Sequence, residues 1–173
     1  TPGSLSSTTG LMKNSNTTCI NGQALKSDLE QLLKRPLGLE NDANCFAMAE
    51  AMLGAGQGKR VVFGVIIGTG CGGGIVIDGQ KQSGLQHVAG EWGHKTINYD
   101  NGPKVFTGKR GAIEAYISGG GLEARWQEQH GNSKALKAIV EDYRLQDPQA
   151  QGFMQQFFMH FGIAMANLIS VLD

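Results

Sequence analysis

Residues 60–80 read RVVFGVIIGTGCGGGIVIDGQ. The run VVFGVII is short, apolar, β-branched and aromatic, the pattern of a buried strand. GTGCGGG, residues 68–74, follows it. Then come IVI and the pair Asp78-Gly79, a hairpin-turn signal. The stretch reads as two long strands joined through glycine-rich backbone. Successive small residues let several backbone N–H groups converge on one anion. No Gly-Lys-Ser/Thr follows, so this is not a Walker loop. A strand and not a helix follows, so it is not a dinucleotide fingerprint. Taken alone, it reads equally as a glycine-rich hairpin that holds nothing.

The pattern on either side alternates. Upstream, residues 1–23 are polar and turn-rich, a loop with room for a short strand. LKSDLEQLLKR places Leu25, Leu29, Leu32 and Leu33 on one helical face before Pro36. LGLE, residues 37–40, is a short strand candidate. Asn41 and Asp42, both good N-caps, open a helix with Ala43, Phe46, Ala47 and Leu53 at helical spacing. GAGQGKR is a hinge or linker. Downstream of residue 112, helix signals dominate. Ser133 is a candidate cap for a helix carrying Leu136, Ile139, Val140 and Tyr143. Asp147-Pro148 opens a last helix. Its stripe of Met154, Phe157, Phe158, Phe161, Met165, Leu168 and Leu172 predicts a core-facing side. The order of elements predicts an α/β fold.

Composition limits the function classes. The 173 residues suffice for one ordinary domain or two small ones, and 40% are hydrophobic, so a core can form. The formal net charge of zero calls for neither nucleic acid nor an anionic membrane. Three cysteines, Cys19, Cys45 and Cys71, stand far apart, which suits a reducing cytosol better than a disulfide framework. No signal peptide opens the chain, and Gln, His and Asn interrupt its last apolar stretch where a membrane span would be cleaner. A cytoplasmic protein is expected.

Four acidic or imidazole side chains lie where chemistry is plausible. Asp42, in NDAN, sits at a strand-to-helix junction, where α/β proteins place ligands. The helix dipole favours its ionised form, the form a general base needs. A plain cap is the alternative. In GEWGH, Glu91 and His94 stand three apart in a glycine-flanked turn, and that spacing alone describes a solvated pair equally well. Glu114, in RGAIEAY, reads by itself as an ordinary first-turn carboxylate.

Together, PGS, NSNTTCINGQ, ENDANCFAMAEA, GVIIGTGCGGGIV, GEWGH and GKRGAIEAYISG, in that order, closely resemble the ROK family of sugar kinases and sugar-responsive repressors. The resemblance covers essentially the whole chain. KNSNT…NG and GEWGH are most similar to the bacterial fructokinase branch, which also phosphorylates mannose; glucokinases and N-acetylglucosamine kinases are close relatives. The resemblance implies an actin-like, RNase H-like α/β fold of two domains over a hexose and MgATP. Here residues 1–57 would be the remainder of the first domain and residues 58–173 the second. The reaction implied is transfer of the ATP γ-phosphoryl to a hexose hydroxyl, with ATP and Mg2+ required. By the same resemblance Asp42 matches the catalytic base. Asn41, Glu91, His94 and Glu114 match sugar ligands, and Gly3, Ser4 and Asn16 fall in the loop that touches the hexose. Thr69, Gly70 and Gly72 match a phosphate-contacting loop. A homodimer is the expected assembly, with no nucleic acid or membrane partner.

Two departures from the family pattern stand out. In the family, the GEWGH-type histidine joins three cysteines to bind structural zinc. Their positions here hold Val105, Thr107 and Ala112, none a zinc ligand, so no metal is expected in that loop. The family's Asp-x-Gly-Gly-Thr loop and its adenosine-binding segment have no counterpart here. The chain therefore reads as an internal fragment, inactive by itself. Two rival functions are a ROK-type repressor, which binds sugar without phosphorylating it, and an inactive scaffold. Asp42 argues for the kinase, since a sensor needs no base.

Overall fold

The computed structural model of the chain describes residues 1–105 and 108–172. Two strands, β1 (Ser4–Leu5) and β2 (Met12–Lys13), pair antiparallel near the start. They are followed by helices α1 (Leu25–Leu33) and α2 (Asp42–Leu53). β3 (Val61–Ile67), β4 (Cys71–Ile77) and β5 (Gln80–Lys81) form a three-stranded sheet in that order. After a short 3-10 turn, Trp92–His94, come α3 (Ile113–Ile117), α4 (Gly119–His130), α5 (Leu136–Arg144) and α6 (Pro148–Leu172).

The hairpin at the centre is longer than its sequence suggests. Only Gly68, Thr69 and Gly70 connect the strands, and Gly68 N–H closes the turn on Gly70 O at 2.9 Å. Cys71–Gly74, read above as connector, already belong to β4. Their glycines serve packing. A Cβ on Gly74 would come within 2.6 Å of Ala43 O and 2.8 Å of Ala47 Cβ, and one on Gly64 within 2.8 Å of Ala47 Cα. Helix α2 thus rests on strand backbone through a face of Ala43, Asn44 and Ala47. Phe46 and Leu53, expected on that face, are exposed, because there is no room for a large side chain against the glycines. Asp78 (φ 50°) and Gly79 (φ 74°) make the turn into β5, the left-handed pair that a type I′ hairpin requires.

Other expectations need correction. Residues 37–40 form no strand: Leu37 N–H is taken by Glu30 Oε1 at 3.0 Å and Asn41 N–H by Glu40 Oε1, so side chains hold this segment in place of a ladder. β3 is only partly buried, with Val61 and Ile67 exposed at its ends. Leu32 and Leu33 of α1 are exposed too. Ser133 does not cap α5. The cap position is Ala135, and Glu123 Oε1 accepts from Leu136 N–H at 2.8 Å instead. At α6 the expected cap holds: Asp147 Oδ1 accepts from Ala150 N–H at 2.9 Å.

By compactness the chain divides into one unit of residues 1–65 and 73–91 and a second of residues 66–72 and 92–173. A single cut at 57/58 does not reproduce this, because the base of the β3–β4 hairpin packs with α2 while its tip packs with α4, where Gly119 N–H donates to Gly68 O at 2.7 Å. The second unit has a core of Leu122, Trp126, Ile139, Ala150, Phe153 and Met154. It is closed by partly buried Leu136, Val140, Tyr143 and Phe157. Ala150, Phe153 and Met154, with Ala164 further along, are the buried residues of α6. Phe153, outside the predicted stripe, is its most buried aromatic, while Phe158 is half exposed. By length and composition α6 could also cross a membrane, the one such helix among the described residues.

Candidate functional site

In the first unit, the N-terminus of α2 presents Asp42. Asn41 is the cap: its Oδ1 accepts from Ala43 N–H (2.9 Å) and Asn44 N–H (3.2 Å), and its Nδ2 donates to Gly3 O (3.2 Å). Both oxygen lone pairs are therefore committed to the fold, and one amide N–H remains for a ligand. Asp42 is the first helical residue and is exposed; its Oδ1 accepts from Ala43 N–H at 2.9 Å. The cap and the base candidate are thus separate residues, a distinction the sequence left open.

Glu40, which sequence reasoning passed over, is the best-connected side chain in this region. Its Oε1 accepts from Asn41 N–H (3.0 Å) and Asn44 Nδ2 (2.9 Å), and its Oε2 accepts from Lys81 Nζ. Burial acts to raise its carboxyl pKa. The hydrogen bonds from Lys81, Asn44 and the Asn41 N–H outweigh that and hold it below the usual carboxylate range. The stability this linkage contributes is complete above the ordinary carboxylate pKa and is lost as pH falls through the lowered one.

Gly3 adopts φ 75°, and a Cβ there would come within 2.6 Å of Lys13 O. This lets β1 lie close to the loop that carries Asn16, which is exposed. Ser4 Oγ is buried and has no hydrogen-bond partner among the described residues, the kind of group that a ligand hydroxyl satisfies. Glu91 closes the first unit and is exposed.

In the second unit, the GEWGH turn is anchored by a residue to which the sequence gave no role. Trp92 is buried, and its indole N–H donates to Gly72 O at 2.8 Å. A Cβ on Gly93 would fall 2.1 Å from Cys71 O, so only glycine permits this approach. His94 is exposed, and its carbonyl accepts from Lys109 Nζ. Glu114, in the first turn of α3, turns its carboxylate onto the glycine loop: Oε2 accepts from Cys71 N–H at 3.0 Å. Thr69 and Gly70 form the connector and Gly72 lies in β4.

A cavity of about 940 Å³ opens in this unit, lined among others by Thr69, Arg110, Glu114, Tyr116, Gly120 and Arg125. Arg125 is only 6% exposed. Its Nη2 donates to Gln156 Oε1 at 2.8 Å, and its guanidinium lies 5.1 Å from the Tyr116 ring centre and 5.7 Å from that of Phe153. Its Nη1 is buried without a partner among the described residues. Burial lowers its pKa, opposed by Tyr116 and Glu128.

The loop between His94 and Glu114 does not fit zinc. Val105 and Ala112 offer no ligand atom, and Thr107 lies outside the described residues. Among the described residues no group of three or more His, Cys, Asp or Glu could hold a metal ion. Backbone closes the loop: Thr96 bridges Ala112, Lys104 bridges Arg110, and Gly111 N–H donates to Pro103 O at 2.9 Å.

The family model for ROK matches residues 1–173, and the chain belongs to the ROK family. An N-acetyl-D-glucosamine kinase of Yersinia enterocolitica is 35% identical over 183 residues, covering 99% of this chain and 60% of the relative. The ROK hexokinase of Thermus thermophilus superposes with a TM-score of 0.87 at 30% identity, over 98% of this chain and 56% of that one. A ROK glucokinase from Streptomyces griseus, solved with glucose and AMPPNP, gives 0.81 at 29% identity, over 99% and 60%. The fold is thus the α/β, actin-like fold of ROK sugar kinases. The chain spans about 60% of the length of the curated relatives it matches.

Proposed function

We propose that the protein is an ATP-dependent hexose kinase that transfers the γ-phosphoryl of MgATP to a sugar hydroxyl. The observation that carries this reading is Asp42: an exposed carboxylate on the first residue of a helix whose cap is a different side chain. It is free to take a proton, as a general base must. Gly3, Ser4, Asn16, Asn41, Glu91, His94 and Glu114 are the proposed hexose ligands. Thr69, Gly70 and Gly72 are the proposed phosphate contacts, with the buried guanidinium of Arg125 adding positive charge to the adjoining cavity. Phosphoryl transfer asks chiefly for such positioning and charge neutralisation. We place the preferred sugar in the fructose and mannose class, on the KNSNT…NG stretch; the relative named for N-acetylglucosamine makes that sugar the main competitor.

The test is turnover of the intact protein with MgATP and fructose, mannose, glucose or N-acetylglucosamine in turn. Phosphorylation of fructose or mannose at about 1–100 s⁻¹ is expected. Preference for N-acetylglucosamine overturns the sugar class alone. Sugar binding without phosphorylation of any of the four overturns the kinase reading and leaves the repressor.

Glu114 carries a prediction of its own. One oxygen is engaged by the glycine loop and the other is proposed to meet a sugar hydroxyl. Glu114→Gln keeps an acceptor for Cys71 N–H but loses the charge, so hexose KM should rise about 10- to 100-fold, the worth of a charged hydrogen bond. Glu114→Ala also releases the loop, so KM for ATP should rise as well. An Ala variant with an unchanged ATP KM refutes the loop-holding role.

A further inference from the structure

We propose that Glu40 is a positioning residue for Asp42, fixing the first turn of α2 against β5 through a carboxylate shared by Asn41 N–H, Asn44 and Lys81. The inference rests on the reading of Asp42 as the base. Asp42 has little of its own to hold it. Its side chain accepts from the neighbouring Ala43 N–H at 2.9 Å, so its direction follows the backbone of the first turn. That backbone is gripped from two sides. Asn41 ties it to Gly3, and Glu40 ties it to β5.

The Glu40 contacts are specific in kind. All three groups on the carboxylate are donors, and they come from three places: the cap residue's N–H, the side chain of Asn44 one turn into the helix, and Lys81 on the strand. Asn44 is 7% exposed, and its Oδ1 is buried without a partner among the described residues. Its amide is therefore oriented by Glu40 alone: turning it over would set an oxygen against a carboxylate. Lys81 is itself held, donating also to Ser83 Oγ at 2.9 Å. An acceptor-only group satisfies this set of donors; a Gln at position 40 must aim an NH2 at one of them.

Misplacing a catalytic group by about 1 Å costs on the order of 10² in rate. Glu40→Gln in the intact protein should therefore lower kcat by roughly 10- to 100-fold and leave hexose affinity, measured by direct binding, close to normal. Lys81→Met, a change on a two-residue exposed strand, should lower kcat in the same sense but less, and Lys81→Arg should restore it. Glu40→Gln combined with Lys81→Met should be no slower than Glu40→Gln alone, since both break one link. A normal kcat in Glu40→Gln, alongside an impaired Asp42→Asn, overturns the positioning role and leaves the base assignment standing. A normal kcat in Asp42→Asn removes the base assignment itself. Loss of hexose binding together with kcat in both Glu40→Gln and Lys81→Met reduces Glu40 to a structural residue and also overturns the proposal.

Discussion

Asp42→Asn in the intact protein should lower kcat by about 10²–10⁴, the worth of a positioned general base, and leave hexose affinity nearly unchanged. The substitution is close to isosteric. An Asn side-chain oxygen can still accept from Ala43 N–H, as Asp42 Oδ1 does at 2.9 Å. The cap is Asn41, so the helix start does not depend on residue 42. What is removed is the basicity of an exposed carboxylate, and little else. Steady-state kinetics with a direct sugar-binding measurement separates the two quantities. A kcat within about threefold of normal, far short of the loss expected for a missing base, refutes the assignment.

Trp126→Ala should cost about 3–5 kcal/mol of stability, which is a large share of a domain's typical 5–15 kcal/mol. Trp126 is 2% exposed at the centre of the second unit's core. Its ring stacks on His130 at 4.1 Å and meets Phe153 edge-on at 5.2 Å. Its indole N–H donates to Asn132 Oδ1 at 3.0 Å, and Lys134 Nζ lies 5.1 Å over the ring. Truncation leaves a cavity and strips all four contacts at once. In a thermal melt the expected drop is roughly 6–20 °C. Trp126→Phe, which keeps the ring contacts and loses the Asn132 bond, should cost less than half as much. A loss under about 1 kcal/mol, ordinary for a surface site, would show that α4 is not anchored there.

The α/β order of elements was legible in the sequence because strand and helix runs differ in period. The cap at Asp147 was legible because it stands directly before Pro148 and an apolar run, while the start of α2 was legible only as Asn41 or Asp42. The length of β4 was hidden: CGGG has poor strand propensity, and the closeness of Phe63 to Gly73 and of Ala43 and Ala47 to Gly74 explains why glycine fills those two positions. The start of α5 was hidden because its first N–H is satisfied by Glu123, a residue of another helix. At the candidate site, motif order marked Asp42, Glu91, His94 and Glu114. It could not mark Glu40, Trp92 or Arg125, whose roles arise from partners far away in sequence: Lys81, the Gly72 carbonyl and Gln156. A Glu directly before an N-cap and a Trp in a glycine-flanked turn were the available signals, and each is too common to carry weight alone.

The chain has two tryptophans, and they differ in surroundings. Trp126 is buried, stacked on the His130 imidazole with its indole N–H on Asn132, so its emission is that of a fixed interior chromophore. Trp92 has its indole N–H on the carbonyl of Gly72, two residues past the turn Gly68–Gly70. Any change in that backbone alters the polarity sensed by the Trp92 excited state. The protein thus carries an intrinsic optical reporter attached to its glycine hairpin, with Trp126 as a second, core-bound emitter for internal reference.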